Sequence, residues 1–339
     1  MILLFELFIY SEDNMKKIVT IRNNTLSSAT LDTVPDIIQQ AGEKASFRFV
    51  EFFTAQIRNP NTRRAYHTNV TQFFHWCDSN QLDLQAIHSI HVASYIEKLQ
   101  HTLSAPTVKQ HLAAIRMLFN WLTTGHIIEA NPATPVRGPK YSAKRGKTPI
   151  LSAEDTRLFL DGISIDTEIG LRDRALVAMM VFSFARITAV LKMKVSDYYP
   201  NGKRWWIRLH EKGGKYHEMP AHHTLEDYLD EYLTVTGLRD DPNGYLFRSF
   251  GGRGRKMTEN SMLQTYAWQM IRRRAKDVGI YTPIGNHSFR GTGITTYLKN
   301  GGTLEKAQQM AAHESPRTTK LYDRSHDEIS LDEVEKIII

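Results

Sequence analysis

The chain has 339 residues, of which 41% are hydrophobic and 23% charged, a composition typical of a globular protein with room for two domains. Its net charge is +7, but residues 323–339 carry −4 and the remainder +11, which favours a polyanionic partner. A single cysteine, Cys77, excludes internal disulfides and cysteine-rich zinc sites, and no apolar run reaches the roughly eighteen residues that a membrane span needs.

Residues 1–44 show no clear hydrophobic period, and we interpret them as a loose N-terminal extension. The opening MILLFELFIY is apolar, but Glu6 interrupts it and no basic segment precedes it, so we expect no signal peptide. Met15 is a second candidate for the start of translation. We therefore expect a protein of a reducing, cytoplasmic setting.

Residues 45–136 are predicted to form a bundle of four amphipathic helices. Apolar residues recur at helical spacing in ASFRFVEFFTAQI, TRRAYHTNVTQFFHWCDSN, IHSIHVASYIEKLQHTL and TVKQHLAAIRMLFNWLTTG. The aromatic side chains of these segments are expected in the core. Four basic residues can form either a solvated face or contacts to phosphates, namely Arg63, Arg64, Lys109 and Arg116.

Residues 137–150 are predicted to be a basic linker. Prolines and glycines around this segment prevent regular structure, and its five basic residues have no acidic neighbour. A linker that is only solvated and one that crosses a phosphate backbone would have the same composition, so both interpretations stay open. The candidate phosphate contacts are Lys140, Lys144 and Arg145.

A second domain is predicted from Leu151. Ser152 can cap a first helix, and LRDRALVAMMVFSFA predicts a buried helix that ends near Arg186. The segment KRWWIRLHEKGGKYHEMP predicts two strands joined by a tight glycine turn. The following segments predict a helix, HHTLEDYLDEYLTVTG, a flexible basic loop, RSFGGRGRK, and a helix, MLQTYAWQMIRRRAKDVG. His222 and His223 lack the spaced partners of a metal site and are interpreted as surface residues.

The last predicted helices carry a distinctive set of polar residues. His287 and Arg290 are three residues apart, so they share a helix face, and Asn286 is a candidate N-cap before them. A helix N-terminus favours an anion there. Gly301 and Gly302 end that helix and Thr303 starts the next, while Ser315 and Pro316 start a third that carries Tyr322 about two turns in.

The set His287, Arg290, His313 and Tyr322 resembles the C-terminal signature of the tyrosine recombinases, the phage integrase family. That family has an arginine about a hundred residues upstream and a lysine in a hairpin between, and Arg186 and Lys212 stand at those places. Lys215 is a competing candidate for the lysine. The resemblance covers residues 45–339.

The resemblance implies a mainly α fold: an N-terminal four-helix core-binding (SAM-like) bundle over 45–136 and an α+β catalytic domain with a small antiparallel sheet over 151–322. It also implies that Tyr322 attacks a DNA phosphodiester, that Arg186 and Arg290 bind the phosphate, and that Lys212 is the general acid. His287 would move the tyrosine proton and His313 would bond a phosphate oxygen. No metal or other cofactor is expected, because the arginines neutralise the phosphate.

Four positions depart from the family pattern. Phe184 stands where a glycine usually precedes the first arginine, and Ala312 where a glycine precedes the second histidine. Ala189 replaces the acid three residues after Arg186, which leaves an arginine without its common partner. Ser288 replaces the aspartate of the His–x–x–Arg box. These departures affect catalytic tuning and leave the reaction type unchanged.

The tail, residues 323–339, is acidic with an apolar end. It can cover the chain's own core, or dock on a neighbouring subunit, as the resemblance implies, and so build a homotetramer on double-stranded DNA. We therefore predict a nucleoid-associated site-specific DNA recombinase. A type IB topoisomerase and a catalytically silent DNA-binding regulator on the same scaffold are the alternatives.

Overall fold

A computed structural model describes residues 34–142, 146–211, 216–252, 256–323 and 334–337, together with the backbone of three strands between residues 5 and 26. The chain divides into two compact units between Ser142 and Ala143. Each unit has its own buried core, which we describe in turn.

The first unit begins with an antiparallel sheet of strands β1 (Phe5–Tyr10), β2 (Lys16–Arg22) and β3 (Thr25–Leu26), in the order β1-β2-β3. The interpretation of residues 1–44 as a loose extension is therefore wrong for these strands. Both FELFIY and KKIVTIR are rich in the β-branched and aromatic residues that favour strands, which the search for a helical period overlooked.

Five α-helices follow in the described part of the first unit. The short helix α1 (Asp36–Gln40) also lies in the supposed extension. It belongs to the bundle, because Ile37 and Ile38 are buried in the bundle core. The four predicted helices follow it: α2 (Glu43–Glu51, continued by a π-helical turn, Phe52–Gln56), α3 (Pro60–Ser79), α4 (Ser89–Gln100) and α5 (Ala105–Thr124). Their shared core is rich in phenylalanine, as predicted.

The helices of the second unit are α6 (Ala153–Asp161), α7 (Glu168–Ser183), α8 (Ile187–Val190), α9 (His223–Thr236), α10 (Gln264–Asp277), α11 (Asn286–Lys299), α12 (Leu304–Met310) and α13 (Pro316–Lys320). Helix α7 is buried almost all round, which the apolar run over residues 175–181 predicts. It is therefore the central helix of this unit.

Two small antiparallel sheets belong to the second unit. Strands β4 (Tyr198–Asn201), β5 (Arg204–His210) and β6 (Tyr216–Pro220) form one, in that order, and include the predicted hairpin strands. Strands β7 (Arg248–Gly251) and β8 (Lys256–Ser261) form the other. The prediction of a flexible basic loop over RSFGGRGRK is thus wrong for Arg248–Gly251, because Arg248 is buried and its backbone pairs with β8.

Two details of the C-terminal helices differ from the prediction. The N-cap of α11 is Gly285, so Asn286 is already the first helical residue. Helix α13 ends at Lys320, so Tyr322 lies in the turn after the helix. Thr303 and Ser315 are N-caps as predicted, since their side chains accept bonds from the backbone N–H groups of Lys306 and Arg317.

Candidate active site

Arg290 is the most buried charged residue of the site, with 1% of its surface exposed. Its Nη1 donates to the carbonyl of Phe184, and its Nη2 donates to the carbonyl of Ala311 at 2.6 Å. These carbonyls follow α7 and α12, where the backbone dipoles favour a cation. Burial and the charge of Arg186 lower the pKa of Arg290 to about 10, so the guanidinium stays protonated at neutral pH.

The two turns that hold Arg290 have unusual backbone geometry. Phe184 has φ +55° and Ala312, next to Ala311, has φ +47°, both in the left-handed region that glycine tolerates best. These are the two positions at which the family pattern has glycine. The family preference therefore has a backbone cause in this chain, and Phe184 and Ala312 bear the conformational cost.

Arg186 and Arg290 share a carboxylate that the sequence analysis overlooked. Glu211, directly after β5, is buried, and its Oε2 lies 2.5 Å from Nη1 of Arg186. Its Oε1 lies 3.8 Å from Nη1 of Arg290 and accepts a bond from the backbone N–H of Arg186 at 3.4 Å. Glu211 immediately precedes Lys212, but its partners are distant in sequence, and no local pattern announced it.

His313 and Tyr322 lie against each other on the same side of the site. Their rings are nearly parallel, with centroids 6.0 Å apart, and Nδ1 of His313 is 2.9 Å from Oγ1 of Thr319. Burial, followed by the charges of Arg290 and Arg186, lowers the pKa of His313 to about 3. His313 is therefore neutral at physiological pH.

Helix α11 fixes the position of Tyr322 through a side-chain hydrogen bond and a close approach at a glycine. Oγ1 of Thr295 donates to the Tyr322 carbonyl at 2.9 Å, and a Cβ on Gly291 would lie only 3.2 Å from the tyrosine ring. Tyr322 is 9% exposed and is close enough to Arg290 to oppose the fall of its pKa. The candidate nucleophile is thus held beside the buried guanidinium.

His287 lies at the open side of the site. It lines a pocket of about 520 Å³ together with Arg186, Gln264 and Trp268. Its side chain reaches solvent at this pocket. The partial burial of its imidazole, followed by the charges of Arg290 and Arg186, lowers its pKa. The pocket therefore gives a polar ligand access to both His287 and Arg186.

Lys212 and Lys215 lie outside the described residues, as does the predicted glycine turn between them. The flanking strands are paired from Trp206 opposite Pro220 to His210 opposite Tyr216. The structure therefore describes the two strands that flank these residues in the sequence.

Two of the predicted phosphate contacts bind backbone carbonyls of their own unit. Nε and Nη2 of Arg63 donate to the carbonyl of Ile57, at 3.2 and 2.9 Å. Nε of Arg116 donates to the Ala133 carbonyl at 3.0 Å, and its Nη2 donates to the Val136 carbonyl. Both side chains are half-buried, so the exposed face predicted for them is not what the structure has.

Of the remaining candidate phosphate contacts, three lie among the described residues and two do not. Arg64, Lys109 and Lys140 are exposed. Lys144 and Arg145 lie outside the described residues. The three exposed side chains therefore present positive charge to solvent on the first unit.

The described residues contain neither a group of metal ligands nor a membrane-spanning helix. Nowhere in them do three His, Cys, Asp or Glu side chains come close enough together to hold a metal ion. Nor does any described helix combine the length and apolar character needed to cross a membrane.

His222 caps α9, accepting from the Thr224 N–H, and stacks on Phe182 with ring centroids 4.2 Å apart.

Comparison with protein families identifies both halves of the chain. Residues 150–328 match the model of the phage integrase family, and residues 48–126 match its N-terminal SAM-like domain. The chain belongs to the phage integrase family. The predicted enzyme class, a tyrosine-type site-specific recombinase, and the predicted fold class are confirmed.

Relatives and solved structures agree with this assignment. Tyrosine recombinase XerD of Listeria innocua is 24% identical over 269 residues, covering 77% of this chain and 87% of that protein. The XerH site-specific recombinase in its post-cleavage complex with a palindromic difH substrate has TM-score 0.69 at 19% identity, covering 91% of this chain and 86% of its own. A lambda integrase tetramer bound to a Holliday junction has TM-score 0.60 at 16% identity, covering 79% and 76%. At these identities the structural matches establish the fold.

Proposed function

We propose that this chain carries out site-specific recombination by cutting and rejoining DNA through a 3′-phosphotyrosyl intermediate on Tyr322. The observation that carries the proposal is the convergence of residues from separate elements. Arg186 precedes α8, Arg290 lies in α11, His313 follows α12 and Tyr322 follows α13, yet the other three lie around the buried guanidinium of Arg290. Such a set fits a phosphodiester whose phosphorus is attacked by the tyrosine oxygen.

The arginines would stabilise the charge that develops on the phosphate. Arg290 is already oriented by two carbonyls, and Arg186, whose side chain is 28% exposed, faces the pocket. Guanidinium groups bind phosphate oxygens in a forked geometry, and each oriented donor in such a site contributes on the order of 3 kcal/mol to the transition state. Buried, pre-oriented cations need no reorganisation when the reaction occurs.

The neutral state of His313 suits a donor to a phosphate oxygen. If the Thr319 hydroxyl donates to Nδ1, the ring proton is on Nε2, which can then donate to the phosphate. Thr319 is fully buried, so it is a positioning residue that selects this tautomer. The stacked ring of Tyr322 keeps the nucleophile close to the same phosphate.

Two protons move in the proposed step. The Tyr322 oxygen bonds to phosphorus while the bond from phosphorus to the 5′ oxygen breaks. His287, whose lowered pKa keeps it neutral, takes the tyrosine proton, and Lys212 supplies a proton to the leaving 5′ oxygen. Attack by a 5′ hydroxyl reverses these transfers and rejoins the strand.

The first unit and the tail would contribute binding and assembly. Exposed cations on the first unit, Arg64, Lys109 and Lys140, are proposed phosphate contacts, as are Lys144 and Arg145. Arg63 and Arg116 would act through the backbone that they hold. A homotetramer on DNA, joined by the tail, is proposed from the family resemblance. The exposure of Val334 and Ile337, 49% and 70%, supports it.

A covalent-trapping gel tests this proposal. Nicked DNA fragments that tile the regions beside the protein's own gene are incubated with wild type and with Tyr322→Phe, then denatured. We expect a slow, denaturant-resistant band with wild type only, because phenylalanine lacks the attacking oxygen, while both proteins shift the same fragments in a native gel.

Two results would contradict the proposal. DNA binding without any covalent band would favour a silent regulator. A band accompanied by relaxation of supercoiled plasmid, with no exchange between two DNA partners, would favour a topoisomerase.

A further inference from the structure

We infer that Glu211 is the positioning carboxylate of Arg186 and Arg290, taking the place of the acid that this chain lacks at Ala189. The inference rests on the proposed function, because positioning is defined here by its effect on phosphate cleavage. It adds to that function a residue that the family pattern does not assign.

The geometry of Glu211 is that of a bridge between the arginines. Its carboxylate is 2% exposed, and each oxygen faces a different guanidinium, Oε2 towards Arg186 at 2.5 Å and Oε1 towards Arg290 at 3.8 Å. Oε1 also accepts from the backbone N–H of Arg186 at 3.4 Å. The carboxylate therefore constrains both the side chain and the backbone of Arg186.

Position 189 cannot supply this interaction. Ala189 lies in α8, three residues after Arg186, and is 2% exposed within the apolar core of the second unit. An alanine has no acceptor for a guanidinium. The end of β5 provides the carboxylate from a different direction, so one buried acid near the arginines is retained although its position in the sequence has changed.

The charges explain why an acid is needed here. Two guanidiniums, one of them 1% exposed, repel each other in a region of low dielectric, and a buried charge without a counter-charge is strongly unfavourable. Glu211 reduces the charge of this trio from +2 to +1. A bound phosphodiester then brings it to zero, so the site is balanced when the substrate is present.

A different role for Glu211 predicts the opposite behaviour. If the carboxylate only occupied the phosphate position before DNA arrives, its removal would free Arg186. DNA would then bind more tightly and be cleaved faster. A positioning role predicts slower cleavage, because Arg186 would leave its productive orientation.

The test uses Glu211→Gln, which keeps the size of the side chain and removes its charge. The matched control is Glu218→Gln on β6, an exposed carboxylate that binds Arg208 outside the site. On a fragment that wild type cleaves, we expect single-turnover formation of the covalent band to fall roughly 10- to 100-fold in Glu211→Gln and to be unchanged in the control. We expect DNA affinity to stay close to that of wild type and the melting temperature to fall only modestly, because Arg186 is 28% exposed and Arg290 keeps its two carbonyl acceptors.

Two further variants examine the carboxylate itself. Glu211→Asp keeps the charge, so it should cleave faster than Glu211→Gln. Adding Ala189→Glu to Glu211→Gln should restore at least part of the rate if an acid at position 189 serves the same arginines. A folded double variant whose cleavage rate is no higher than that of Glu211→Gln would contradict the claim that Glu211 takes the place of an acid at position 189.

Other outcomes would overturn the inference itself. Glu211→Gln with wild-type or faster cleavage would exclude a positioning role. Equal losses of cleavage rate in Glu211→Gln and Glu211→Asp, explained by equally lowered melting temperatures, would exclude it too. Failure of wild type to form any adduct would instead contradict the proposed function. An active wild type with an equally active Glu211→Gln would contradict only the role of Glu211.

Discussion

Two clusters in the second unit each place one buried carboxylate among arginines: a closed cluster around Asp173, and an open cluster around Glu211 in which Arg186 is more exposed than either arginine that hydrogen-bonds Asp173. In the closed cluster, Oδ1 of Asp173 accepts from Nε and Nη2 of Arg172, at 3.2 and 2.6 Å, and its Oδ2 accepts from Arg274 at 3.0 Å. Nη1 of Arg172 donates to the Arg248 carbonyl. Asp173 is completely buried, and the side chains of Arg172 and Arg274 are only 7% and 16% exposed, although both arginines line a pocket of about 870 Å³.

In the open cluster, Glu211 lies between Arg186 and Arg290 in a similar way. Arginines of both clusters line a pocket, but Arg186 is 28% exposed, more than Arg172 or Arg274. The comparison teaches that burial of a charge does not by itself identify an active site. What the open cluster has in addition is a candidate nucleophile, because Tyr322 and His313 lie beside Arg290.

Removing the charge of Asp173 should have the largest effect on stability. Asp173→Asn would leave Arg172 and Arg274 without their buried counter-charge, so we expect the free energy of unfolding to fall by about 3–5 kcal/mol. Urea denaturation followed by circular dichroism measures this loss. The same chemical change at Glu211 is expected to lower the cleavage rate instead.

Asp166→Asn is the control for Asp173→Asn, because Asp166 is exposed and bonds only a neighbouring serine among its described contacts. It should change stability by less than about 0.5 kcal/mol. A free energy of unfolding for Asp173→Asn within about 1 kcal/mol of wild type would remove the distinction between the two clusters.

The open cluster should also make stability depend on pH through His313. Its pKa is about 3 in the folded chain and near 6.5 when unfolded, so the unfolded state binds a proton first as pH falls. The stability of the folded state is complete above pH 6.5 and decreases below it, by about 2 kcal/mol between pH 7.5 and pH 5.

Comparing wild type with His313→Gln isolates this contribution, because the other histidines titrate in both proteins. Denaturation at several pH values should show a smaller acid loss in the variant, by about that same 2 kcal/mol. Parallel stability curves for the two proteins would show that His313 is not held neutral in the folded state.

The smallest effect concerns the backbone that holds each cluster. Arg172 and Asp173 lie within the regular helix α7, whereas Arg290 is bound by carbonyls at two left-handed turns. Ala312→Gly relieves the strain at one turn, so we expect unfolding to become less favourable by up to about 1 kcal/mol. Chemical denaturation measures the change.

Ala311→Gly provides the opposite control. Ala311 has φ −79° and is fully buried, so glycine brings only greater freedom in the unfolded chain and a loss of about 1 kcal/mol. Equal changes in the two variants, with the same sign, would show that the left-handed conformation of Ala312 carries no cost.

Much of the site could be predicted because it depends on residue spacing and helix caps within short stretches of the sequence. The spacing of His287 and Arg290 places both in the first turns of one helix, and Ser152, Thr303 and Ser315 are caps whose side chains bond nearby backbone N–H groups. Such signals depend on residues within one or two helical turns. A single sequence therefore contains them in full.

What could not be predicted depends on distant contacts. Glu211 is 25 residues from Arg186 and bridges to Arg290, so only the folded chain reveals the trio. Arg116 was assigned to a surface, but its guanidinium binds carbonyls of the segment that follows α5. The strand Arg248–Gly251 was missed because the glycines of RSFGGRGRK suggest a loop, while its partner strand determines its conformation.

The central claim is that Tyr322 becomes covalently joined to DNA. The most direct measurement is mass spectrometry of the protease-digested adduct that wild type forms on a cleaved fragment. We predict one modified peptide, with a nucleotide 3′-phosphate on the oxygen of Tyr322. Attachment to another residue, or free DNA ends without an attached peptide, would contradict the account.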